Sequence, residues 1–313
     1  MVKVVALGGG HGLSAALSAL RLISDQLTAI VTVADDGGSS GRLRRELGIL
    51  PPGDLRMALS ALCDNTDWGR TWRDVLQHRF TGDGELSGHA TGNLLIATLW
   101  QRLDDPVAGL DWVARLLGAR GRVLPMSLDP LDIQAEVTLP DGSSGVVTGQ
   151  AAVATTTAHV ESVRLIPDDP RPCHEALNAV AEADWVILGP GSWYTSVIPH
   201  LLVPDLRHAL ERTNAKRCLI VNLGVPVAGE AAGMSATELV QAVRAHAPDL
   251  RIDAIIVDPA SVIDIDHLFD AADSVGASVR LRQVSSGPGS LRHDPMRLAG
   301  ALHDVFLAVE GDV

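Results

Sequence analysis

A chain of 313 residues is long enough for one large domain or two ordinary ones, and with 46% hydrophobic residues it can bury a substantial core. Acidic residues outnumber basic ones by 38 to 25, a formal net charge of −13, which argues against a nucleic-acid partner while leaving room for a local cationic pocket. No uncharged apolar run approaches the roughly eighteen residues of a membrane span, and "MVKVVALGGG" leads into a strand and a turn rather than a secretory signal, so a cytoplasmic protein with no membrane partner is expected.

Val4 to Leu7 reads as a short buried strand, "GGGHG" as a tight turn, and Leu13 to Ile23 as an Ala/Leu-rich helix. "LTAIVTVA" is a second strand, completing a βαβ unit that seeds a parallel sheet. "PPGDLRMALSALC" predicts a turn and then a helix with Asp54 as its N-cap. "SGHATGNLLIATLWQRL" and "DWVARLLGAR" are helical. From about residue 121 to 166 the pattern alternates apolar and polar, with a turn at Asp141-Gly142, which predicts an antiparallel excursion. The α/β pattern then returns. Trp185 to Leu188 is a strand that ends in Gly189-Pro190-Gly191-Ser192. "KRCLIVNLG" and "IDAIIVD" are further core strands, with helices near Ala236 to Ala245 and Pro295 to Val309. The expected architecture is a single α/β domain over 1–313: a Rossmann-like three-layer α/β/α fold with a mainly parallel sheet and an antiparallel β insertion. Cys63, Cys173 and Cys218 are far apart and odd in number, so they read as small buried apolar residues.

Several stretches carry groups suited to chemistry. In "GGGHGLSA", Gly10-x-Gly12-x-x-Ala15 matches a dinucleotide fingerprint after the first strand, with Asp35 where a ribose-binding acid would sit. Gly9, Gly10 and Gly12 would let backbone N–H groups approach a phosphate, and His11 either donates to it or faces solvent. "VTVADDGGSSGRLRREL" then places Asp35 and Asp36 at a carboxyl strand end. They suit sugar hydroxyls, or Mg²⁺ held against a diphosphate. Gly37, Gly38, Ser39 and Ser40 can form an anion-binding nest, with Arg42, Arg44 and Arg45 neutralising phosphate; a capped, solvated helix is the competing reading.

In "GHATGNLL", His89 and Asn93 share a helical face if the helix begins that early, as a base with its orienter or as a buried polar pair. "LGPGSWYTS" offers a second glycine turn, Gly189 and Gly191, with hydroxyls from Ser192 and Thr195, suggesting a ligand cradled between two turns. Trp193 and Tyr194 either stack on a base or pack in the core. Asn222, after the strand "CLIV", and Asp54 complete the ligand-binding candidates. No Ser-His-Asp triad or zinc motif is evident, so no catalytic residue is assigned.

The run "TVADDGGSSGRLRRELGILPPGDLR", with "GGGxG", "QHRF", "GHATGNLL", "LGPGSWYTSVIPHLL" and the late "HDP" from His293 to Pro295, resembles the YvcK/CofD-like family over essentially the whole chain, most closely the YvcK, or gluconeogenesis-factor, branch. The resemblance implies a Rossmann-like fold. Its YvcK branch implies a regulator of gluconeogenic carbon use and of cell shape and wall synthesis that binds UDP-sugars such as UDP-N-acetylglucosamine. Its CofD branch implies a Mg²⁺-dependent transferase that joins phospholactate to a deazaflavin alcohol. By motif match, Gly10, Gly12, Asp35, Asp36, Gly37 and Asn93 line the cleft.

Two departures stand out: His11 where threonine is common, and "GVPVAGEAAG" where the family reads like "QPGET". The expected ligand is therefore a nucleotide-sugar or another phosphorylated nucleotide, with no cofactor required for binding, Mg²⁺ as an optional ion on Asp35 and Asp36, and a homo-oligomer as the assembly. A regulator is preferred over the transferase, with an NAD-dependent oxidoreductase as the third reading.

Overall fold

The computed structural model describes residues 2–226 and 228–310, so the expected span 1–313 includes Met1, Val227 and 311–313 outside the described residues. Among the described residues ten strands run in chain order: β1 (Lys3–Gly8), β2 (Gln26–Val31), β3 (Arg122–Pro125), β4 (Asp132–Thr138), β5 (Ser144–Thr148), β6 (His159–Ile166), β7 (Trp185–Leu188), β8 (Lys216–Ile220), β9 (Ala254–Val257) and β10 (Ser278–Leu281). The helices that frame the site are α1 (Gly10–Leu20), α2 (Gly38–Leu47), α3 (Gly53–Leu62), α4 (Asp67–Gln77), α5 (Thr91–Leu103), α6 (Pro106–Leu117) and α7 (Gln150–Ala154). Others follow, including Ala236–His246 and Pro295–Glu310.

The main sheet has 7 strands in the order β10-β9-β8-β7-β1-β2-β3. Every pairing within it is parallel. Strands β7 and β9, "WVIL" and "AIIV", are buried at every position, as expected where both faces of a parallel sheet are covered. Leu7, Ile30, Ile187 and Leu188 anchor the centre of the core. From β1 the chain winds outward to β2 and β3. From β7, the neighbour of β1 on its other side, it winds the opposite way to β8, β9 and β10. This reversal between β1 and β7 is the topological switch point, and ligands of open α/β sheets bind outside the carboxyl ends of the strands there.

The excursion forms a second sheet of 3 strands, β5-β4-β6, antiparallel throughout. It begins later than residue 121. "RVLP" of β3 pairs in parallel with β2, because its buried side chains complete the main sheet. Strand β4 alternates buried and open positions, as a strand covered on one face does.

Candidate functional site

The two glycine turns stand side by side at the switch point, one after β1 and one after β7, and they pack directly on each other. A Cβ on Gly12 would lie 2.2 Å from the Pro190 carbonyl oxygen and 2.4 Å from Gly191 Cα. Gly12 is therefore required by backbone-to-backbone contact, and the expected cradle between the turns is filled by the protein itself.

Gly9 is equally confined, since a Cβ there would meet Asp54 Oδ2 and Thr32 Cγ2, each at 2.5 Å. The Asp54 carboxylate packs against Gly9 and Gly10, so an internal carboxyl group sits at the N-terminus of α1, where a dinucleotide fold would present a phosphate. Asp54 is thus not the N-cap of α3, which is Pro52; it lies in the first turn and reaches across to α1.

The second turn is locked by Asn222. Gly191 N donates to Asn222 Oδ1 at 3.0 Å and Asn222 Nδ2 donates to the Gly191 carbonyl at 2.8 Å. Gly189, at φ +74, occupies the left-handed region beside the Ile220 carbonyl. Ser192 is exposed, and its carbonyl accepts from Ser196 and Val197. Thr195 is fully buried, with Oγ1 unpartnered among the described residues. Trp193 and Tyr194 are core residues rather than base-stacking platforms: they are 0% and 4% exposed, and Trp193 Nε1 donates to the Leu239 carbonyl. His11 is exposed on the first turn of α1.

The acidic loop splits its two carboxylates. Asp35 faces a cavity, with Oδ1 accepting from Gly37 N at 2.9 Å. Asp36 does not turn inward beside it. Its Oδ1 accepts from Ala151 N at 2.9 Å, capping the first turn of α7 in the excursion. The adjacent arginines are likewise engaged in structure rather than presented to a phosphate. Arg42 donates to the Ser87 carbonyl at 2.6 Å, Arg44 pairs with Asp132 at 2.9 Å and donates to the Leu131 carbonyl, and Arg45 donates to the Asp36 carbonyl. The reason is largely tertiary: α7 meets Asp36, β4 meets Arg44 and the loop before His89 meets Arg42, while Arg45 folds back on the acidic loop itself.

The cavity measures about 210 Å³. Asp35 and Asp54 line it together with the N-terminal turn of α2, Arg56, Arg79 and Asn93. Burial, reinforced by the charge of Asp35, pushes the Asp54 carboxyl up to about 7 despite the Gly10 backbone N–H beside it. Burial also raises Asp35, against hydrogen bonds from Gly37 and Ser40. Arg56 is 4% exposed. Burial and then the neighbouring Arg79 charge push its guanidinium below the usual range, while Asp54 and Asp35 pull the other way.

Behind the cavity wall, Asn93 Nδ2 donates to Ser39 Oγ at 3.0 Å, and Ala90 N donates to the same oxygen at 3.4 Å. The Ser39 proton is thereby left for His89 Nδ1, 3.0 Å away. Helix α5 begins at Thr91, so His89 precedes it. His89 and Asn93 meet through Ser39 of α2 instead of sharing a helical face. Burial and then the Arg42 charge lower the His89 pKa, which keeps the ring neutral as this hydrogen bond requires.

A divalent ion suits Asp35 with Asp54 better than Asp35 with Asp36. The first two carboxylates face one cavity and resist ionising together, a conflict that a cation between them relieves. Among the described residues no cluster of three or more His, Cys, Asp or Glu side chains is placed to hold a metal, so water and ligand oxygens would complete such a shell. Sequence reasoning missed Arg56 and Arg79, which stand in "GDLR" and "QHRF" with no local mark of burial or convergence. Val227, within the segment that departs from the family pattern, lies outside the described residues.

The chain matches the family model described as 2-phospho-L-lactate transferase CofD over residues 4–281. A protein of Mycobacterium tuberculosis H37Rv named "Putative gluconeogenesis factor" is 49% identical over 308 residues, 96% of this chain and 90% of that one. The "Gluconeogenesis factor" of Bacillus subtilis is 35% identical, over 97% of this chain and 98% of its own. A crystal structure of a UPF0052 family member from Bacillus halodurans superposes with a TM-score of 0.86 at 35% identity, covering 96% of this chain and 98% of that one. Among the described residues, no helix is long and apolar enough to cross a membrane. The chain belongs to the CofD-like family, and its near relatives are gluconeogenesis factors of the YvcK type.

Proposed function

We propose that the protein is a nucleotide-sugar-binding regulator of gluconeogenic carbon metabolism and of cell shape and wall synthesis, with a UDP-sugar as its ligand. The observation that carries this reading is the Asp35–Asp54 pair facing the cavity at the switch point. Carboxylates are strong acceptors for sugar hydroxyls, and a pair that shares a proton can also donate one. Among the described residues Met57 is the one large apolar side chain in the lining, so the cavity favours hydroxyls and phosphates over an extended ring. If Mg²⁺ enters with the ligand, Asp35 and Asp54 would hold it, and it would supply charge neutralisation for a diphosphate. Calorimetry against UDP-N-acetylglucosamine, UDP-glucose, GDP and NAD, with and without Mg²⁺, tests the reading. Micromolar binding of a UDP-sugar is the expected result, and no binding of any UDP-sugar would overturn it.

The matched family model favours a second reading, a phospholactate-type transferase. Incubation with nucleotide-activated phospholactate, Mg²⁺ and the deazaflavin alcohol, followed by mass spectrometry, separates the two. Multiple-turnover product would establish the transferase.

A further inference from the structure

The first glycine turn is occupied by the protein's own groups: Gly12 lies against Gly191, and the Asp54 carboxylate packs against Gly9 and Gly10. A phosphorylated ligand must therefore find its anion site elsewhere. Arg56 and Arg79 line one cavity, and among the described residues neither guanidinium has a carboxylate within ion-pair distance.

Arg56 is the more telling of the two. Its side chain is 4% exposed, and although it donates to Gln77 Oε1, its Nε is buried with no partner. A buried donor atom left unmatched is costly, and although Asp54 and Asp35 favour the charge from a distance, the neighbouring Arg79 adds repulsion that an anion between the two guanidiniums would turn into attraction. Arg79 is held in place by a hydrogen bond from Nη1 to the Gly88 carbonyl at 2.9 Å. Helix α2 adds its N-terminal turn to the same cavity; the Gly37 N–H is held by Asp35, and no acidic residue stands within the turn itself. The Nδ2 atom of Asn93, another lining residue, is fixed on Ser39, and its Oδ1 is buried and unpartnered among the described residues.

We infer that Arg56, Arg79 and the N-terminus of α2 form a subsite for a phosphoryl or diphosphoryl group, displaced from the glycine turn that serves this role in dinucleotide-binding folds. The inference rests on reading the cavity as the ligand site. It differs from the proposed function in naming the ionic groups that hold the phosphate, and it does not depend on which base or sugar is attached.

The test is calorimetry of the full chain with inorganic pyrophosphate in Mg²⁺-free buffer, alongside UDP-N-acetylglucosamine. Arg79→Gln, at an exposed residue, should stay folded and weaken pyrophosphate by about tenfold or more, as loss of a charge-assisted contact requires. Arg56→Lys, which keeps the charge, should weaken it less than Arg56→Gln, and Arg115→Gln on α6 should leave it unchanged. If Arg56→Gln does not fold, Arg79→Gln decides the matter alone. Failure of the wild type to bind pyrophosphate, or equal binding by Arg79→Gln, overturns the subsite. If UDP-N-acetylglucosamine binds the wild type and Arg79→Gln alike, the subsite falls while the proposed function stands. If pyrophosphate binds through Arg79 but no UDP-sugar binds, the subsite stands and the proposed function falls.

Discussion

Asn222 and Gly191 exchange two hydrogen bonds, amide N–H to carbonyl in each direction, across the carboxyl ends of β8 and β7. The side chain of Asn222 thus behaves as one more backbone unit stitched to the turn. Asn222→Ala would leave a Gly191 N–H and carbonyl unmatched in a partly buried place. We expect a stability loss of about 2 kcal/mol. Urea unfolding of the ligand-free protein checks this, and an unchanged midpoint would mean that water replaces the side chain freely.

The Gly12–Gly191 contact predicts a harsher outcome. Gly12→Ala places a methyl group 2.2 Å from the Pro190 carbonyl oxygen, against backbone on both sides. The variant should lose several kcal/mol or fail to fold, through overpacking rather than loss of ligand. Gly84→Ala, with open space around the added carbon, is the control and should unfold near the wild-type temperature. Wild-type stability in Gly12→Ala would show that the two turns can part, restoring space for a phosphate between them.

The Asp54 carboxyl titrates near 7 in the folded chain against a reference of 3.8 in the unfolded one. Below about pH 4 both states hold the proton and the full stability is present. Between about pH 4 and pH 7 the unfolded chain ionises while the folded one keeps its proton, so stability falls as pH rises. The loss is complete above about pH 7 and is on the order of 4 kcal/mol. Asp54→Asn removes this titration while keeping the size and shape of the side chain. Thermal midpoints from pH 5 to 8, without ligand, should fall less steeply in Asp54→Asn, with the variant gaining most relative to wild type at pH 8. Parallel curves would place the titration elsewhere.

Arg44 separates structure from binding. It is half of a partly buried pair with Asp132 and also holds the Leu131 carbonyl. Arg44→Gln should cost about 1 kcal/mol in unfolding free energy and leave pyrophosphate affinity within about twofold. A tenfold loss of affinity with unchanged stability would return this arginine to the ligand site.

The β1–α1–β2 unit and the strand before the second turn were legible because buried parallel strands are short apolar runs bounded by glycine, a signal local to a few residues. Strand β10, "SVRL", was not, since it is a half-exposed edge that carries an arginine. Within the site, Asp35 stands in the cavity and the glycines stand at the switch point, as their place after strands suggests. The directions of Asp36, Arg42 and Arg44 could not be read from the chain. Each is set by a segment distant in sequence, namely α7, the loop before His89 and β4. Arg56 and Arg79 stand in two of the motifs that carry the resemblance but had no local signal of burial or convergence, because an arginine becomes an anion site only when folding withholds its partners.

Asp36 and Arg44 fasten the small sheet to the acidic loop from two points, one at α7 and one at β4. The small sheet is therefore no interchangeable cassette. A chimera that imports another family member's β4-to-α7 segment inherits its register on Ala151 and Asp132 from the donor, while the loop that must meet them comes from the host. Exchanges that move the two stretches together should assemble, and those that move either one alone should shift Asp35 within its own cavity without altering a single residue that lines it.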